Sequence, residues 1–131
     1  MREKCDANLA LAEFLSQNAD IEQCWTACAH CSYYAVFQYM KYILAVKSNP
    51  FIPYNKQNES KTDSHNYILD EIKNRINNPR IARRIYDKVR VLKRLRVLAD
   101  YEDKFFSQEE AIDCKDQADG LIRELKSIFC A

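Results

Sequence analysis

The sequence predicts an all-α protein, an antiparallel up-and-down bundle of four to five helices. Three observations carry this reading. Gly120 is the one glycine, and Pro50, Pro53 and Pro79 are the three prolines, so the tight turns that a sheet-rich fold needs are missing. Apolar residues recur at spacings of three and four over five segments. Residues that start helices stand directly before several of those segments.

The first segment runs from about Cys5 to Asn18, with Leu9, Ala12, Leu15 and Ala19 on one stripe. The second runs from about Asp20 to Lys47. Its stripe holds Cys24, Cys28, Cys31, Ala35, Tyr39 and Ile43. Its second half is apolar around most of its circumference, which marks it as the central helix. Residues 48–63 contain Asn49, Pro50, Pro53, Asn55 and Asn58 and read as a loop. Asp63 or Ser64 can cap a third helix reaching about Asn77. Asn77 or Asn78 can cap a fourth, with Pro79 in its first turn, where a missing N–H does no harm. That helix carries Ile81, Ile85, Val89, Leu92 and Ala99 inward and should end between Glu102 and Phe105. Ser107 and Glu110 form a capping box that opens the fifth. Ile112, Ala118, Leu121, Ile122, Leu125 and Phe129 supply its apolar face. Short connections imply antiparallel neighbours. Without repeats or low-complexity stretches, residues 1–131 read as one domain.

Charge is nearly balanced, with 20 Lys and Arg against 19 Asp and Glu, so the molecule as a whole does not advertise a nucleic-acid or membrane partner. The most apolar run, Tyr33 to Val46, contains Gln38 and Lys41 and is too short and polar to span a bilayer. The N-terminus lacks a secretory pattern. A cytoplasmic location is therefore expected, with the six cysteines as free thiols.

Cys24, Cys28 and Cys31 form a Cys-x3-Cys-x2-Cys string. That spacing also occurs in radical SAM iron–sulfur sites, but there it lies in a loop of a large barrel, and here inside a helix. Two readings remain: a zinc site completed by His30 or His65, or a stripe of small apolar residues where helices approach closely. The second is expected, with no metal and no cofactor.

The fourth helix is unusual. From Arg80 to Arg96 it holds eight Lys or Arg residues against one acid, Asp87. It is either a solvated face offset by acids elsewhere or a phosphate-tracking ridge of Arg83, Arg84, Arg90, Lys93 and Arg94. Arg96 follows Val89 and Leu92 on the inner stripe, where a charge needs a partner. Asp100 lies four residues on, within reach, with Asp103 one turn further and Tyr101 beside it. These residues form either an intrahelical ion pair or a small polar site in an apolar groove. His65, in the first turn of the third helix, is expected to be neutral. His30, central in the second helix, is expected to be packed.

Tyr33-Tyr34-Ala35-Val36-Phe37, Ser64-His65, Arg96-Val97-Leu98-Ala99-Asp100-Tyr101, Ser107-Gln108-Glu109-Glu110-Ala111 and Ala118 occur in this order. Together they resemble the HEPN superfamily over roughly residues 6–129, closest to its small bacterial and archaeal members. The resemblance implies an antiparallel helical homodimer and often a metal-independent ribonuclease of toxin–antitoxin or phage-defence systems. It also implies a nucleotidyltransferase antitoxin as partner. Such sites commonly pair an arginine with a histidine four to six residues later. Arg96 matches the arginine; Asp100 stands near the place of the histidine, followed by Tyr101. His65 can supply the missing group if it packs near Arg96. The resemblance therefore implies either an RNA- or nucleotide-binding protein with possible ribonuclease activity, or a non-catalytic module that docks the partner. In the second case Tyr101 is the residue the partner would modify.

Overall fold

The computed structural model describes residues 1–18, 22–59, 63–102 and 105–130. Among these residues six α-helices run in chain order: α1 Arg2–Asn18, α2 Glu22–Tyr42, α3 Tyr54–Gln57, α4 Ser64–Asn74, α5 Pro79–Tyr101 and α6 Gln108–Phe129. Ala19, Asp20 and Asp103 lie outside the described residues, as do residues 60–62 of the expected loop.

Local chemistry sets the helix starts. The Asp63 carboxylate accepts the His65 N–H at 3.0 Å and caps α4. Asn78 accepts from the N–H groups of Arg80 and Ile81, with Pro79 at the first helical position of α5. Ser107 and Glu110 make both bonds of the capping box on α6. Each satisfies backbone donors that the first turn leaves without partners.

Three boundaries differ from the sequence reading. α1 starts earlier, because the Cys5 N–H already reaches the Met1 carbonyl at 2.9 Å. α4 stops at Asn74 rather than Asn77, because its end tightens into i→i+3 bonds from Arg75 to Ile72 and from Ile76 to Lys73. After Tyr42 the chain widens into a π-helical turn, Ile43–Lys47, in which the Ser48 N–H donates to Ile43. The 48–63 segment also contains α3. Buried Gln57 ties it down, donating through Nε2 to the carbonyls of Lys41 and Ile52.

Cross-helix contacts fix the directions. Asn8 meets Gln38 and Cys28 meets Ala12, so α1 and α2 run antiparallel. Arg96 faces Tyr33 while Asp100 faces His30, so α2 and α5 are antiparallel too. α2 meets α6 in parallel, with Cys28 against Ala111 near one end and Tyr39 near Lys126 at the other. α2 and α6 thus pack along the diagonal of the bundle, with α1 and α5 on either side and α4 beside α5.

α2 is the central helix, with Ala29, Tyr33, Val36, Tyr39 and Met40 all nearly inaccessible, as is Ile43 in the π-helical turn that follows. The α6 stripe is Ala111, Cys114, Ala118, Leu121 and Leu125. Ile112, expected inward, is exposed, because the register set by the capping box turns Ala111 to the core. Cys28 lies where α1, α2 and α6 meet and donates its thiol to the carbonyls of Ala12 at 3.2 Å and Ala111 at 3.4 Å. Burial pushes its thiol up to about 11, so it stays protonated and behaves as a small apolar residue. Among the described residues no group of three or more His, Cys, Asp or Glu is placed to hold a metal ion. Among them, too, no helix is long and apolar enough to cross a membrane.

Candidate nucleic-acid interface

α5 buries Ala82, Ile85, Val89 and Leu92, and the same helical period carries Arg96 inward. Its side chain is only 10% exposed. The guanidinium lies against two aromatic rings of α2, 5.4 Å from the Tyr33 centroid and 5.5 Å from that of Tyr34. Among the described residues its one carboxylate contact is long: Nη1 to Asp100 Oδ2 at 3.4 Å. Among the described residues its buried Nε has no hydrogen-bond partner. An arginine fork has five donors, and among the described residues this one faces chiefly aromatic surface. The pair with Asp100 is therefore too slight to count as full neutralisation.

Asp100 is held better by another group. His30 Nδ1 stands 2.9 Å from its Oδ2 and 3.2 Å from its Oδ1. His30 is not packed in the core, as its central place in α2 suggested; its side chain is 47% exposed. At this point on α2 the surface opens beside the end of α5, and a polar ring finds a carboxylate there. One oxygen of Asp100 thus joins an imidazole from α2 and a guanidinium from α5.

His65 does reach this cluster. Its Nδ1 is 2.6 Å from the Tyr33 hydroxyl, and its ring stacks on Phe37 with centroids 4.2 Å apart. Burial, then the positive charge of Lys93, lowers the pKa of His65, which favours the neutral ring. Burial pushes the Tyr33 phenol up, so it keeps its proton, and its hydroxyl shares a hydrogen bond with Nδ1 whose direction follows the tautomer of the ring. Tyr101 takes no part in this geometry. It is 76% exposed, on a face of α5 about 100° from that of Asp100.

The basic residues of α5 fall into two groups. Arg84 and Lys88 both pair with Glu124 of α6, at 2.8 and 3.1 Å, and Arg83 lies 3.7 Å from Asp87. These cations are largely offset. Further along, Arg90, Lys93, Arg94 and Val97 join Asn66 of α4 around a shallow groove of about 340 Å³. Lys93 reaches the cap residue Asp63 at 3.1 Å, and Arg90 leans on the Tyr86 ring. This groove adjoins His65 through Asn66, the next residue of α4. From Arg90 to Asp100 the helix rises about 15 Å, the reach of two or three nucleotides of single-stranded RNA.

The sequence reading singled out Arg96, Asp100 and His65, and the structure brings all three to one place. It missed His30, Tyr33, Tyr34 and Phe37 as site residues. Their spacing carries a signal: positions 30, 33, 34 and 37 share one face of α2.

The family model described as HEPN domain matches residues 2–128. The chain belongs to the HEPN family, and membership associates it with RNA-binding and nuclease-like functions. No curated protein and no solved structure matches the chain.

Proposed function

We propose that this HEPN chain acts in the cytoplasm as a homodimer that binds RNA through the C-terminal half of α5. In this reading it cleaves RNA without a metal, as a toxin-type ribonuclease of a toxin–antitoxin or defence system. One observation carries the proposal: Arg96 is drawn almost fully inside, yet among the described residues its guanidinium meets aromatic faces and a single distant carboxylate. A buried cation with so few acceptors is poised for an anion, and a phosphate supplies several acceptors at once. Arg90, Lys93 and Arg94 lead a polyanionic strand towards it. Arg96 stabilises charge on the phosphate, and Asp100 and His65 hold the surrounding polar network. The same cation would also hold a free nucleotide. The test is anisotropy of a labelled single-stranded RNA, titrated with salt. Binding should fall steeply as salt rises and weaken in Arg96→Ala. Equal, salt-insensitive binding by both proteins would refute the reading.

A second reading rests on a different observation. Val97, Leu98, Tyr101 and Phe105 are all exposed around the end of α5. This apolar surface suits a non-catalytic module that docks a nucleotidyltransferase-like partner, with Tyr101 as the group accepting a nucleotide. Incubation with such a partner and ATP should raise the mass of wild type and leave Tyr101→Phe unchanged. No mass change in wild type would dismiss the modification.

A further inference from the structure

The motif at the end of α5 carries a carboxylate, Asp100, near the place where HEPN-type sites commonly carry a histidine. We propose that His30, from α2, is the proton-transferring residue of this site, with Asp100 as its positioning residue. This inference rests on the ribonuclease reading above.

The geometry is that of an oriented imidazole. Asp100 engages Nδ1 through both carboxylate oxygens, at 2.9 and 3.2 Å. A carboxylate can only accept, so the proton of the neutral ring sits on Nδ1 and the lone pair on Nε2. The ring is fixed on its other flank by Tyr34, with centroids 4.6 Å apart. Half of the side chain remains open to solvent, which leaves room for a substrate group. The oxygen that holds His30 also lies 3.4 Å from Arg96 Nη1. A phosphate drawn to Arg96 would therefore sit beside His30.

His65 is less suited to that role. Its Nδ1 is taken by the Tyr33 hydroxyl, and its ring is stacked on Phe37. It fixes Tyr33, which in turn supports the guanidinium.

His30 Nε2 takes the proton of the RNA 2′-hydroxyl, and the 2′-oxygen forms a bond to phosphorus. The bond from phosphorus to the 5′-oxygen breaks, and that oxygen takes a proton from water. The imidazolium returns its proton to the hydroxide so formed. The products are a 2′,3′-cyclic phosphate and a 5′-hydroxyl end, with Arg96 facing the phosphate throughout.

The test uses the full chain, a labelled single-stranded RNA, and the same RNA with 2′-deoxy sugars as a control. Wild type should cleave only the RNA. His30→Ala and His30→Gln should bind RNA as wild type does but cleave it about 100-fold or more slowly. Added imidazole should restore cleavage to His30→Ala and not to Arg96→Ala, a rescue that a merely structural role would not give. Wild-type cleavage by both His30 variants would overturn the assignment and leave the ribonuclease reading standing. Lost cleavage without imidazole rescue would also overturn it. RNA binding by wild type without cleavage would remove the catalytic role and leave RNA binding intact. Absence of binding as well would bring down the reading on which the inference rests.

Discussion

Replacing Arg96 by methionine separates a residue kept for stability from one kept for a ligand. Methionine keeps most of the length and volume and removes the charge. The losses can be sized from the contacts. Two ring contacts, largely desolvated, contribute about 1–2 kcal/mol each. The 3.4 Å contact with Asp100, whose side chain is 23% exposed, adds at most about 1 kcal/mol. Against these stands the cost of drawing a guanidinium out of water, several kcal/mol per ion. Asp100 is not stranded by the change, because His30 still holds it at 2.9 Å. The terms nearly cancel, and methionine itself can pack between the two tyrosines. Urea unfolding of Arg96→Met should therefore differ from wild type by less than about 1 kcal/mol, or show modest stabilisation. With a urea dependence of about 1–3 kcal/mol per molar, the midpoint moves by no more than about 1 M. RNA binding, measured on the same sample, should be lost. Destabilisation by about 3–5 kcal/mol, the usual cost of breaking a buried ion pair, together with unchanged RNA binding, would refute the reasoning.

Three other outcomes are expected. Burial holds the His65 pKa below its unfolded value, so the unfolded chain binds the extra proton. Stability should then fall as pH drops from about 6.5 towards the lower folded pKa. Urea midpoints at pH 7.5 and 5.5 check the sign, and His65→Phe, which keeps a ring on Phe37, should shrink the difference; greater stability at pH 5.5 would contradict it. Arg94→Ala should reduce the salt slope of RNA binding by about 0.7, the value for one single-strand phosphate contact, whereas Arg84→Ala should leave the slope nearly unchanged because Glu124 already holds Arg84. Ser107→Ala should cost about 1 kcal/mol in urea unfolding through the lost α6 cap, and no change would mean the box contributes nothing.

The fold was legible because its signals are local. Asp63, Asn78 and Ser107 each stand one residue before a helix, and their side chains bond backbone two or three residues on, so sequence spacing reports the geometry directly. The inner stripe of α5 was equally plain, and it led to Arg96. The misplaced Ile112 shows the limit of such reading. Ala111 and Ile112 are both apolar neighbours, and the register that the capping box sets turns Ala111, not Ile112, to the core.

The site was half legible for the same reason. Arg96 and Asp100 sit four residues apart on one helix, so their meeting follows from α-helical geometry alone. His30 meets Asp100 across a sequence gap of 70 residues, which depends on how α2 and α5 cross. Nothing local distinguishes such a histidine from a packed one. The ridge of α5 likewise looked uniform in sequence. The position of Glu124 on α6 is what offsets Arg84 and Lys88, while Arg90 and Arg94 line a groove beside α4.

The buried Nε–H of Arg96 is the group that a bound strand should reach. Arginine Nε–Hε signals can be followed by two-dimensional 15N NMR, and that of Arg96 is identified by its absence from the spectrum of Arg96→Met. On titration with single-stranded RNA this signal should shift and saturate together with the anisotropy curve, as the fork gains phosphate oxygens. An unmoved Arg96 signal at saturating RNA would contradict the claim and place the bound strand elsewhere.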